Sequence, residues 1–166
     1  WLAEVAPDGQ VLRQVRLVSA REVQLAGMLA TPDGGLVLCG RLFDAVALDQ
    51  RAIVLRLDAS WAITWQRELF AQETLEEIVA VPSGGWIIIS GIALFRLADD
   101  GSVLANVRYD CGGAWPILHC LAPVGADEWL LVARDRSPAG GTANERLLLM
   151  RVTSNGAVLS VRTLDT

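Results

Sequence analysis

Short runs of alternating apolar and polar residues, separated by polar turns, extend along the whole chain. Four segments align without gaps: 1–17, 53–69, 93–109 and 148–164. Each contains two alternating runs around a turn, a pattern that predicts a β-hairpin. Three of the turns contain Asp-Gly or Asn-Gly, which favour tight hairpins because both residues accept positive φ. Trp61 takes the glycine position in the remaining turn, so we expect a different turn geometry there.

A second kind of hairpin lies between these segments. It is predicted for residues 25–40, 75–91 and 119–133, around the turns Pro32-Asp33-Gly34-Gly35, Pro82-Ser83-Gly84-Gly85 and a less regular Pro123–Glu128. The two kinds alternate with a period of roughly 40 to 55 residues, which is typical of four-stranded propeller blades. Gln72–Ala80 carries a short helical pattern but runs into a turn, so we predict a strand there as well.

These hairpins resemble bacterial β-propeller repeats of the quinoprotein-like and Trp/Gly-rich type. The resemblance rests on the "PDGG" turn, the "LVLCG" strand and the "IVLRLD" strand, and residues 23–69 follow that order best. It implies an all-β fold of four-stranded antiparallel β-propeller blades in a single partial domain. The outer hairpin of an incomplete blade spans 1–17, and three blades span 23–69, 75–109 and 117–164. The chain then holds about three and a half blades, an incomplete ring.

An incomplete ring leaves the sheet faces at its two ends without a neighbour. Repeat arrays also need polar caps, and both predicted terminal strands are apolar. We therefore predict that the chain is not a self-sufficient closed monomer and that a protein partner or a further chain completes the ring. The alternative is that the leading hairpin packs irregularly on a small closed ring of four blades.

Composition and charge narrow the classes of partner. The chain has 166 residues, of which 52% are hydrophobic and 20% charged, which excludes a disordered chain. Its net charge of −5 argues against a nucleic-acid partner, which would require a basic surface. No apolar stretch is long enough for a membrane-spanning helix.

Candidate chemistry is sparse, and we predict no catalytic, cofactor or metal site. His119 is the sole histidine and has no serine or acid at a recognisable partner spacing. Alternation along a strand would send His119 and Cys120 to opposite faces, which disfavours a zinc site with Cys111. The paired glycines lie in hairpin turns rather than in phosphate-binding loops. Pairing of Cys111 with Cys120 is left open.

Unequal loops at one end of the predicted blades are the candidate binding site, since ligands usually meet such loops. The loops are expected around 42–51, 109–116 and 134–146, the last being the most polar stretch. We predict a partner-binding surface of arginines, acids and aromatic residues: Asp44, Asp49, Arg51, Tyr109, Trp115, Arg134, Asp135, Arg136 and Arg146. The alternative is that Arg134–Arg136 form an ordinary solvated loop.

The leading functional hypothesis is a non-catalytic propeller module, or a subunit, that mediates protein–protein contact in a larger assembly. One alternative is a fragment of a propeller enzyme whose active groups lie outside this chain. Another is a carbohydrate-binding envelope protein with Trp115 as the sugar platform. The resemblance implies export to the periplasm or the cell exterior, and a cytoplasmic location is left open.

Overall fold

The computed structural model describes residues 1–44, 49–69, 75–110, 115–136 and 145–164. These residues form fourteen strands. The strands are β1 Leu2–Val5, β2 Val11–Val15, β3 Glu22–Ala30, β4 Leu36–Asp44, β5 Asp49–Leu57, β6 Ile63–Leu69, β7 Leu75–Ala80, β8 Trp86–Ser90, β9 Ala93–Leu97, β10 Val103–Arg108, β11 Trp115–Pro123, β12 Glu128–Arg136, β13 Glu145–Thr153 and β14 Val158–Leu164. Within the described ranges there is no helix of the length and apolarity that crossing a membrane requires.

The strands form four antiparallel sheets in chain order. A two-stranded sheet, β1–β2, is called the half-blade here. Blade 1 is β3–β6, blade 2 is β7–β10 and blade 3 is β11–β14, each ordered by sequence from its inner to its outer strand. The prediction of an all-β fold with three and a half four-stranded blades is confirmed. β7 also forms as a strand, against its short helical pattern.

Irregular register recurs at matching places in the blades. The inner strands β3, β7 and β11 each carry a shift, at Leu25/Gly27, Leu75/Glu77 and Leu118/Cys120. The outermost pairs carry another shift beside the outer turn. Bulges increase the local twist of a strand and break strict alternation. The matching positions establish which residues of different blades are equivalent.

The Asp-Gly and Asn-Gly pairs predict positive φ at both turn residues, but only the glycine of each pair adopts it. In the Pro7-Asp8-Gly9 turn, the Gly9 N–H donates to the carbonyl of Ala6 and the Ala6 N–H donates to the carbonyl of Gln10. The outer turns of all three blades and the inner turns of blades 1 and 2 repeat this pattern. It is the pattern of a three-residue loop, in which the third residue alone adopts positive φ. Proline at the first loop position suits this turn because its φ is already fixed.

Trp61 was expected to change the geometry of its turn, and this prediction is wrong. Its φ is 68°, so it takes the left-handed position that glycine holds in the other turns. Its N–H donates to the carbonyl of Asp58, as glycine does elsewhere. The Trp61 ring is almost fully buried against the half-blade, with the Arg13 guanidinium 3.8 Å from its centre. This packing offsets a backbone cost of about 1–3 kcal/mol.

Three apolar clusters join the four sheets in sequence. The first joins the half-blade to blade 1 around Leu2 and Leu38, the second joins blades 1 and 2, and the third joins blades 2 and 3. In β8 and β9 every residue is buried, because blade 2 has a neighbour on both of its faces. Blade 3 has a neighbour on one face only among the described residues, and that difference locates the candidate site.

Candidate functional site

The predicted partner-binding residues, apart from Tyr109, lie at strand ends rather than in loops. The β4–β5 ladder continues to the pair Asp44 and Asp49, and the β12–β13 ladder continues to the pair Arg136 and Glu145. Polar composition had suggested loops, but an antiparallel ladder needs only backbone pairing and tolerates polar side chains at its end. The loops predicted at 42–51 and 134–146 are therefore too long at both ends.

Backbone register brings several of these residues together at one end of blade 3. Trp115 lies opposite Arg136, Ile117 lies opposite Arg134, and Asp135 lies opposite Arg146. Asp44, Asp49 and Arg51 form a separate group at the same end of blade 1. The side chains of Asp44, Asp49, Trp115, Asp135 and Arg136 lie outside the described part of the structure, as does Cys111.

The remaining predicted side chains have different surroundings. Tyr109 is buried between blades 2 and 3, and its hydroxyl donates to the Gly156 carbonyl at 3.0 Å. Burial raises the pKa of this phenol above its usual value. Arg51 forms an ion pair with Glu68 at 3.4 Å, and Arg146 is exposed. Tyr109 thus stabilises an internal interface, whereas Arg51 and Arg146 reach the surface.

His119 and Cys120 do not follow the alternation assumed from the sequence. The register shift in β11 leaves His119 without a cross-strand partner, and both residues are exposed. Among the residues that the structure describes, no three His, Cys, Asp or Glu side chains lie close enough together to hold a metal ion. Cys39 is buried, and that burial raises the pKa of its thiol to about 12, so it is a poor nucleophile.

An arginine on the third strand of each blade holds the inner turn of the same blade. Arg56 donates to Asp33 at 2.5 Å and to the carbonyls of Leu36 and Leu57. Arg96 and Arg151 occupy the equivalent positions. Their guanidinium groups are used in the turns of their own blades, which is a structural role rather than a catalytic one.

Asp33 is the acid whose titration we expect to report on this turn. Hydrogen bonds from Thr31 and Arg56 hold its pKa at about 2, against an ordinary value of 3.8. A depressed pKa means that ionised Asp33 stabilises the fold above about pH 3.8, and that this stabilisation is lost as the pH falls towards 2. We expect an NMR titration of the side-chain carboxyl to show the low pKa. Thr31→Val should raise it; an unchanged midpoint in that variant would contradict the assignment.

Neighbouring blades are also joined at the rim, by a contact that recurs around the arc. In the half-blade, blade 1 and blade 2, the outer strand or the residue directly after it donates to the outer turn of the next sheet. Arg13 donates to the Ala59 carbonyl, Trp65 and Arg67 donate to the carbonyls of Asp99 and Gly101, and Tyr109 donates to that of Gly156. Each turn therefore presents a carbonyl to the sheet that precedes it.

Blade 3 presents its second face without a neighbouring sheet among the described residues. Cross-strand register places three rows of side chains on this open face. The middle row runs from Cys120 through Val132 and Leu149 to Arg162. On the opposite face of the same strands, Leu131 and Met150 are buried against blade 2. The open face consists of Ile117, Cys120, Ala122, Leu130, Val132, Arg134, Leu147, Leu149, Arg151, Ser160, Arg162 and Leu164.

The open face is equivalent to surfaces that are buried elsewhere in the chain. Val132 and Leu149 align with Cys39 and Val54 in blade 1, and these two are fully buried against blade 2. The same alignment matches Leu164 with Leu69, which is also buried. Sequence reasoning predicted an uncovered sheet face at each end of the arc, but it named binding residues only at the loop end. Aligning the repeats position by position would have identified the residues of this face.

No protein-family model matches the sequence, and no curated protein matches it significantly. Solved structures similar in fold include the following two. One is a protein of unknown function from Bacteroides caccae, with a TM-score of 0.53 and 9% identity over 98% of this chain and 74% of that chain. The other is the Pan2 WD40 domain of Neurospora crassa, with a TM-score of 0.54 and 13% identity. The match spans 92% of this chain and 47% of the WD40 chain. The likeness to the WD40 domain supports the propeller fold.

Proposed function

We propose that this chain is a non-catalytic protein–protein interaction module that packs a further four-stranded sheet against the open face of blade 3. The single observation that carries the proposal is that Val132 and Leu149 are equivalent to residues that are buried in blades 1 and 2. An apolar sheet face without a neighbour gains free energy when another apolar face covers it, at about 25 cal/mol per Å² of apolar surface.

The chemistry of the open face defines its partner. An apolar centre requires a sheet with apolar residues alternating on one face, such as the face that blade 2 presents to blade 1 through Ile88 and Phe95. Arg162 is equivalent to Arg67, which donates to the Gly101 carbonyl of the following turn. We therefore expect the partner sheet to present a turn carbonyl near Arg162. A further propeller blade has both features.

The strand-end residues predicted from the sequence extend this proposal. Trp115, Arg134, Asp135, Arg136 and Arg146 come from neighbouring strands at the loop end of blade 3. Arg134 lies in the cross-strand row of Leu147, on the open face itself. Arginine and aromatic side chains commonly dominate binding energies at interfaces. We propose that they contribute to the rim of the same contact. The narrower resemblance to quinoprotein-like repeats stays a prediction.

We expect the purified chain to associate with itself through this face as its concentration rises, since each copy carries the same uncovered apolar surface. Substituting Val132→Asp together with Leu149→Asp should weaken that association at least about 10-fold, because a carboxylate buried at an apolar interface lacks a partner. Sedimentation velocity over a wide concentration range measures the change, and thermal unfolding checks that the variant folds.

Leu104→Asp provides the matched control, since Leu104 is 58% exposed on the rim of blade 2 and lies outside the open face. It should associate as the unchanged chain does. The thiol of Cys120 gives a second measurement: its reaction with a thiol reagent, in a Cys111→Ser background, should slow on association. An unchanged chain that stays monomeric throughout would refute the proposal.

A further inference from the structure

A second uncovered region lies at the other end of the arc, beside the half-blade. The half-blade has the outer two strands of a blade and no inner hairpin among the described residues. β1 pairs with β2 along one edge, and its other edge has no strand partner there. This edge and the exposed side chains of Leu25 and Met28 on β3 are named the hairpin slot here.

The inner strands of the three blades show what the slot lacks. β7 contacts β3 and β4, and β11 contacts β7 and β8, so each inner strand packs on the preceding inner hairpin. Accordingly Leu75 and Ile78 are 0% and 7% exposed, and their equivalents in β11 are similarly buried. The equivalent residues of β3, Leu25 and Met28, are 39% and 63% exposed. An inner hairpin is the element that would cover them.

One charge in the slot is reversed relative to the full blades. Aligning 1–17 with 53–69 places Glu4 at the position of Arg56. Arg96 and Arg151 hold the same position in blades 2 and 3, and each arginine donates to its own inner turn. Glu4 instead accepts a hydrogen bond from Arg13 at 3.1 Å, with both side chains partly exposed. A carboxylate at this position favours a cationic turn, where the full blades carry acids or carbonyls.

We infer that the hairpin slot binds a β-hairpin from outside residues 1–166 whose two strands are apolar on one face and whose turn is basic. The inference rests on the proposed function, because it assigns the kind of partner that completes the arc. One strand of the hairpin adds to β1, as β4 adds to β5, and backbone hydrogen bonds supply affinity along that edge. Its apolar face covers Leu25 and Met28, and its basic turn pairs with Glu4. The slot is continuous with the apolar cluster of Leu2 and Leu38.

The test uses synthetic peptides of residues 22–44, the inner hairpin of blade 1, as probes of the slot. Both peptides carry Cys39→Ser, and one also carries Asp33→Arg to make its turn basic. At low ionic strength we expect the basic peptide to bind the unchanged chain about 3-fold to 5-fold more tightly, the range of a partly exposed ion pair. In a Glu4→Arg chain the peptide that retains Asp33 should bind more tightly than the basic peptide. Glu76 is an exposed acid on β7, and Glu76→Arg should leave the preference for the basic peptide unchanged.

Hydrogen exchange locates the bound peptide. Saturation should slow exchange of the main-chain amides of β1, and Met28→Asp should weaken both peptides. If exchange at β1 does not slow, the slot is refuted. If both peptides bind the slot but the basic peptide still binds more tightly to the Glu4→Arg chain, the charge preference is refuted. Neither outcome bears on the open face of blade 3, which the self-association of Val132→Asp/Leu149→Asp tests separately.

Discussion

An Arg96→Ala chain is expected to lose about 2–4 kcal/mol of its free energy of unfolding. Arg96 is 5% exposed and donates to the carbonyls of Trp86, at 3.3 Å, Leu97 and Gly84. Without the guanidinium, three carbonyl oxygens lose a donor in a site that water reaches poorly. Loss of the apolar stem of the side chain also leaves a void in a tightly packed blade.

Arg151→Ala is the matched control, because Arg151 occupies the same position in blade 3. Its side chain is 53% exposed and pairs with Glu128, which is 40% exposed. An ion pair of that kind contributes about 0–1 kcal/mol. Urea denaturation followed by tryptophan fluorescence measures both variants. Arg96→Met retains the volume of the stem and should recover less than half of the loss. Equal losses in Arg96→Ala and Arg151→Ala would contradict the role of burial.

The sequence predicts the strands well because their alternation has a physical origin that is local. In a half-buried strand successive side chains point to opposite faces, so apolar residues recur every second position. Where both faces are covered, the run is continuous, as in Trp86–Ile89. Both patterns are visible without a structure, and they predicted strands in the regions where β1–β14 lie.

The turns could be located from sequence, but their geometry could not. Trp61 adopts positive φ because distant residues stabilise it: Arg13 covers its ring and donates to Ala59, 46 residues away in sequence. Intrinsic preference disfavours a bulky residue in that region. Tertiary packing therefore decides this backbone conformation, and no pattern within residues 58–62 indicates it.

Uncovered faces at the two ends of the arc were predicted, but the residues of the open face were not, for a related reason. Leu130, Val132 and Leu149 are as apolar as the residues that blades 1 and 2 bury, so local composition does not distinguish a covered face from an uncovered one. The difference arises from the number of sheets beside each blade.

The paired glycines of the inner turns were visible as turn residues, whereas their contact with the third-strand arginine depends on the pairing of strands and could not be predicted from the turn itself.

The contact between Gly85 and the third-strand arginine makes Gly85→Ala the backbone change with the largest expected effect. We expect it to lower the free energy of unfolding by about 3–4 kcal/mol or more. Gly85 has a φ of 69°, which strains any L side chain. A Cβ there would also lie 2.1 Å from the Leu97 carbonyl oxygen and 2.6 Å from Nη1 of Arg96. The third strand must therefore move away, which breaks the hydrogen bonds of the buried guanidinium.

Two other glycines separate the causes of that loss. Gly9 has a φ of 89°, but an added methyl group would meet only open space, so Gly9→Ala should cost about 1 kcal/mol from backbone strain alone. Gly125 lacks positive φ and would meet its nearest neighbour, Glu128, at 3.4 Å, so Gly125→Ala should change stability by less than about 0.5 kcal/mol. Urea denaturation of the three variants gives the ranking. A Gly85→Ala loss no larger than that of Gly9→Ala would mean that the approach of strand β9, and with it the arginine contact, contributes nothing to the stability of blade 2.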